Sequence, residues 1–150
     1  MSEENKGQQF ADYRGLHRAP SHTYGSPLHD LSGGDAVYPA DVYGPHGKQY
    51  YGSGDPHDEA DAQSFRAVHQ AHGDPDHMTW VHRALPKDAP YPSINPGDWV
   101  TTSKAYAKEH GEGSLQGNYR IGSMRVPAKH LYTEGNSISE WGYDPGEGVR

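Results

Sequence analysis

The sequence predicts an α+β fold, because two helix-periodic segments lie among four short strand-like runs. A second observation fixes the style of that fold. Only 32% of the 150 residues are hydrophobic, while 19 glycines and 12 prolines interrupt the chain. This composition excludes a coiled coil, a helical bundle and a membrane-spanning protein. So few apolar groups would also suit disorder, since little burial offsets the entropy of ordering. Eleven tyrosines and three tryptophans argue against that, because each aromatic ring buries a large area. The expected object is a loop-rich domain whose small core rests on aromatic anchors.

Residues 1–56 read as an irregular segment. Pro20, Pro27, Pro39, Pro45 and Pro56 break it, as do Gly33-Gly34 and Gly52-Ser53-Gly54. Tyr13, Tyr24, Tyr38, Tyr43, Tyr50 and Tyr51 recur as pins, with short helices fitting near 40–43 and 47–51. From residue 57 to 150 the chain reads as the core of the same compact domain. Asp58 is a suitable N-cap, and Ala60, Ser64, Phe65, Val68 and His72 recur at helical spacing up to Gly73. Residues 78–85 (MTWVHRAL) read as a buried strand ending at Pro86, and 97–102 (GDWVTT) as a second strand. Ser103 then caps a short helix over 104–110 that Gly111 terminates. Residues 119–128 (YRIGSMRVPA) alternate as a strand, and 137–142 (SISEWG) form the last one.

Thirteen Lys and Arg against twenty Asp and Glu leave a net charge of −7 with histidine neutral. No basic run is present, so a general affinity for nucleic acid is not expected, although a local basic groove stays open. Without cysteine there are neither disulfides nor thiolate metal sites. The polar start MSEENKGQQF lacks the regions of a signal peptide, and no apolar run approaches a membrane span. A soluble, intracellular protein with no membrane partner is the expectation.

Several residues have both a chemical and a purely structural reading. Arg83 lies inside an apolar strand, where a guanidinium needs partners; it is either a structural ion pair or a fork for an anionic ligand. Ser103 and Thr102 sit where a strand passes into a helix, suited to capping or to orienting a neighbouring carboxylate. Tyr106, one turn into that helix, offers a ring for core packing or for ligand stacking. Glu140 is either an exposed strand position or a cleft carboxylate for electrostatic or base chemistry. His69, His72, Asp74, Asp76, His77 and His82 are a competing constellation for a divalent metal, against a solvated helix end and turn. Their spacing departs from the His-Glu-x-x-His pattern of metalloproteases.

The order of Arg83, then Thr102-Ser103, then Glu140 resembles the Arg–Ser–Glu triad of mono-ADP-ribosyltransferases, in particular phage-borne and bacterial toxin-like members. The segments carrying it are WVHRALP, INPGDWVTTSKAYAKEHG and VPAKHLYTEGNSISEWGYDP, which span less than half of the chain. The resemblance implies a pair of small twisted β-sheets around an NAD cleft with flanking helices. It implies that NAD is the substrate, that ADP-ribose is transferred and that nicotinamide is released, with NAD hydrolysis as a variant. Glu140, Arg83 and Ser103 take the catalytic positions. Arg83 holds a phosphate or ribose of NAD, and the Ala84 backbone meets the carboxamide. Ser103, with Thr102, positions the carboxylate, and Tyr106 stacks on nicotinamide. Residues 129–137 resemble the loop that recognises the acceptor, with Tyr132 and Asn136 facing it. Ile138 stands where arginine-modifying members carry Glu or Gln. Arg14 and Arg18 are further candidates for the NAD site, with Arg14 a rival for the first triad position. The acceptor is first expected to be a host protein, in the cytoplasm of a host bacterial cell, with a virion-packaged and injected enzyme as the variant. The alternatives are a non-enzymatic phage-type structural or packaged binding protein, and the His/Asp metal domain.

Overall fold

The computed structural model describes residues 19–33, 36–90 and 94–146. Over them six strands form two small antiparallel sheets. Strands β1 (Ser26–Pro27), β3 (Trp99–Val100), β5 (Leu131–Thr133) and β6 (Trp141–Tyr143) make one, in the order β1-β5-β6-β3. Strands β2 (Met78–Pro86) and β4 (Tyr119–Pro127) make the other, paired from Met78 opposite Pro127 to Pro86 opposite Tyr119. A single antiparallel bridge between His82 and Thr101 ties the two together. His82 N donates to Thr101 O at 2.8 Å, and Thr101 N donates back to His82 O at 3.0 Å. Three helices complete the mixed α+β structure: α1 (Gly47–Tyr51), α2 (Glu59–Ala71) and α3 (Lys104–Ser114). Two 3₁₀ turns occupy Ala40–Tyr43 and Ala128–His130. Among the described residues no helix is long and apolar enough to cross a membrane.

Local chemistry accounts for the longer elements. The Asp58 side chain accepts from Asp61 N at 3.1 Å and so satisfies an otherwise orphaned donor at the start of α2. Phe65, Val68 and Ala71 on its inner face join Val81, Val100, Val126, Leu131, Ile138 and Trp141 in one core. Leu28, Leu31, Tyr38 and Val42 enter the same core, so the described part of the N-terminal segment is packed rather than appended. Tyrosines fasten it: Leu31 N donates to Tyr43 Oη at 2.9 Å, and Tyr38 meets Tyr51 edge-on at 5.7 Å. At the other end of the first sheet, His22 donates its backbone N–H to Asp144 Oδ2 at 3.0 Å and places Nδ1 2.6 Å from the same oxygen. Burial opposes ionisation of Asp144, but these bonds and one from Gly146 N outweigh it and hold the carboxyl at about 2.

Several expectations are corrected. The 78–85 run is not buried on both faces, because Met78 and Trp80 are exposed while Thr79 and Val81 point inward. The 97–102 run keeps only two ladder residues plus the bridge at Thr101. Residues 137–140 are a turn, with Glu140 N donating to Ser137 O at 3.3 Å, and β6 begins after Glu140. Residues 129–137 contain the end of a 3₁₀ turn and β5, which pairs with β1 and β6. Strands of two or three residues carry no readable alternation, which is why these boundaries shift.

Helix α3 runs past Gly111 to Ser114, since the Tyr119 ring fills the space where a Cβ would stand. Glycine there admits β4 against the helix rather than stopping it. Gly113 faces open space on the same helix. Gly113→Ala is therefore expected to stabilise the fold by about 0.5–1 kcal/mol through lower backbone entropy. Gly111→Ala is expected to cost about 1–3 kcal/mol through overpacking. Urea denaturation midpoints of the two variants check the opposite signs.

Candidate functional site

The His82–Thr101 bridge brings the middle of β2 beside the end of β3, and α3 leaves β3 immediately after it. Between these elements and the turn before β6 lies a cleft of about 320 Å³. His82, Arg83 and Ala84 line it from β2, Tyr106, Ala107 and His110 from α3, and Glu140 from the turn. Its size falls in the range of about 300–1,000 Å³ common for small-molecule sites.

Each polar wall has a structural cause. Arg83 follows the bridging residue on a strand and is largely buried, with Nη1 3.4 Å from Asp98 Oδ2. Asp98 immediately precedes β3 and accepts from Asn95 N at 2.9 Å. The ion pair anticipated for Arg83 therefore exists, and the same guanidinium also borders the cleft. Glu140 accepts a hydrogen bond at Oε2 from Tyr106 Oη. Tyr106 is aimed by its helix start, because Ser103 Oγ accepts from Tyr106 N at 3.0 Å. The cleft thus sets a cation against a carboxylate held by a phenol, a pairing suited to an anionic group and to a centre where positive charge develops.

The two histidines lean toward neutrality. Burial, with Arg83 nearby, lowers the His110 pKa; burial, with Lys104 nearby, lowers that of His82. His82 Nδ1 lies 2.7 Å from Ser123 Oγ.

The structure brings Arg83, Ala84, Tyr106 and Glu140 to one cleft and leaves other candidates outside it. Ser103 is fully buried and donates Oγ to Gln63 Oε1 at 2.8 Å, so the hydrogen bond to Glu140 comes from Tyr106 instead. Thr102 Oγ1 is buried without a hydrogen-bond partner among the described residues, and Thr102 borders a different groove, beside Trp80. Tyr132 is half-buried in β5 and Asn136 is exposed; neither lines the cleft. Ile138 is buried in the core, which explains an apolar residue two positions before Glu140. Tyr13, Arg14 and Arg18 lie outside the described residues.

The His/Asp constellation does not assemble. His72 stacks on Tyr43 at 3.5 Å between ring centres, and Asp76 pairs with Lys129 at 2.9 Å. Among the described residues no three His, Asp or Glu side chains are grouped to hold a metal ion. Two residues of the site were missed from sequence. His110 follows Tyr106 by four positions and shares its helical face, a spacing that signals it. Gln63 gives no such signal, since its partners Ser103 and Ala105 lie on a different helix.

Comparison with family models, with curated proteins and with solved structures gave no match for this chain.

A histidine whose pKa falls on folding binds fewer protons than in the unfolded chain. Folding stability should then decline as pH drops below the ordinary histidine value of about 6.5. His110→Gln is expected to lose less stability than the native chain between about pH 7.5 and 5.5. Denaturant midpoints across that interval measure the difference.

Proposed function

We propose that this chain consumes NAD as an ADP-ribosyltransferase, passing ADP-ribose to an acceptor and releasing nicotinamide. One observation carries the proposal. Three sequence-distant points assigned to the NAD site by resemblance, Arg83-Ala84, Tyr106 and Glu140, line one cleft. Two small antiparallel sheets tied beside that cleft support the finer assignment of an ADP-ribosyltransferase-like fold. The charges fit as well: NAD brings an anionic diphosphate for Arg83 and a cationic nicotinamide ring toward the carboxylate of Glu140.

In the reaction the bond from nicotinamide nitrogen to ribose C1′ breaks, the electron pair leaves with nicotinamide, and the acceptor takes C1′ while losing a proton. Glu140 opposes the positive charge that grows on the ribose, an interaction stronger in the transition state than in the ground state. Tyr106 keeps that carboxylate aligned through its hydroxyl. Ser103 is a positioning residue here, acting on Glu140 through Tyr106 rather than by contact. Arg83, steadied by Asp98, holds the anionic half of the substrate.

Incubation with NAD should release nicotinamide, measurable by chromatography. Glu140→Gln is expected to lower the rate about 10²–10³-fold, near 3–4 kcal/mol of barrier. Tyr106→Phe keeps the ring and removes the hydroxyl, and a smaller loss of about tenfold is expected. Full activity in Glu140→Gln would refute the assignment.

A further inference from the structure

We propose that the open face around Trp80 binds single-stranded nucleic acid. Trp80 is 53% exposed, whereas Trp99 and Trp141, the other two tryptophans, are buried. It stands on the outward face of the β2–β4 ladder directly opposite Arg125, and residues so paired project to the same side. A groove of about 260 Å³ runs beside it, bordered by Arg66 and Gln70 from α2, Lys104 at the start of α3, and Met78. Among the described residues no carboxylate lines this groove. Glu59, one turn before Gln63 on α2, is instead engaged by Gln63 Nε2 at 3.3 Å. A chain carrying −7 therefore reverses sign locally, with Arg66, Lys104 and Arg125 set around one exposed indole.

The combination selects among polyanions. Cations alone suit any of them, but an exposed indole flanked by cations suits a ligand with both phosphates and free aromatic faces. An unpaired nucleotide strand presents both, and base stacking on an aromatic ring is tolerant of sequence. A duplex hides its base faces, and an acidic peptide has none. The ring contributes little to the core, and with Met78, also exposed, it offers the groove an apolar face. Because His82 borders both groove and cleft, a bound strand lies next to the cleft mouth. Binding itself requires neither NAD nor the transfer reaction, so the two proposals succeed or fail separately.

The test is a fluorescence titration with a ten-nucleotide oligothymidylate, without NAD, exciting the tryptophans. Saturable quenching is expected, because Trp80 is the exposed emitter. The logarithm of the affinity should fall against that of salt concentration with slope about −2, as three neutralised phosphates require. Anisotropy of a labelled oligonucleotide should show binding weakened about tenfold or more in Trp80→Ala. The double change Arg66→Gln, Lys104→Gln should reduce the salt slope toward about −0.7. Circular dichroism checks that both variants, altered only at exposed positions, stay folded. The proposal is overturned by no quenching at about 50 mM salt, by unchanged affinity in Trp80→Ala, or by equal binding of the matched duplex or polyglutamate.

Discussion

The backbone bridge between His82 and Thr101 is the contact on which the rest depends. Two backbone hydrogen bonds hold the β2–β4 ladder to the end of β3, and the strand and helix walls of the cleft meet at that junction, with Glu140 closing it from the turn before β6. Arg83 and Ala84 follow His82 on the same strand, while the helix carrying Tyr106 and His110 begins three residues after Thr101. Backbone bonds at such a corner need no particular side chain, so they leave the neighbouring positions free for chemistry. The cost is that two polar side chains, Arg83 and Asp98, are drawn into a poorly solvated place. Their ion pair is thus best understood as compensation for burial rather than as a source of stability.

A second layer of hydrogen bonds makes the corner directional. Gln63 reaches from α2 to take the Ser103 hydroxyl and the Ala105 N–H, while Ser103 takes the Tyr106 N–H. One half-buried amide therefore satisfies the start of α3 and couples its orientation to a helix packed in the core. Ser64, beside Gln63, lies 2.8 Å from Ser139 across their hydroxyls, immediately before Glu140. Consecutive residues of α2 consequently steady both partners of the Tyr106–Glu140 bond. The site is built on packed elements even though Glu140 itself sits in a turn.

Legibility from sequence followed the range of the interactions. Helix α2 could be read because its cap, acidic first turn and apolar stripe are all local. The long strands β2 and β4 could be read because nine residues suffice to show β-forming character. The two-residue strands β1 and β3 and the three-residue β5 have no period, and they exist through pairing with distant partners. Gly111 misled as a stop because a helix-terminating glycine and one that admits a neighbouring ring look identical in one dimension. In the site, Arg83 and Glu140 stood out as charges among apolar neighbours. The roles of Ser103 and Gln63 depend on a contact across 40 residues that no spacing discloses.

The low apolar content finds its explanation in this economy of contacts. Trp141 and Trp99 place large rings in the thin first sheet, and Tyr38 and Tyr43 fasten the irregular N-terminal stretch with rings and hydroxyls together. In a chain so poor in aliphatic residues, each buried aromatic ring carries a large share of the available apolar area. Trp80 is exposed beside a groove lined by Arg66 and Lys104, with Arg125 opposite it on the ladder. Stability does not require a tryptophan there, because its neighbours Thr79 and Val81 already fill the inward positions of the strand. On the proposed reading, the inward positions of β2 build the fold while its outward ring offers a stacking face to a ligand.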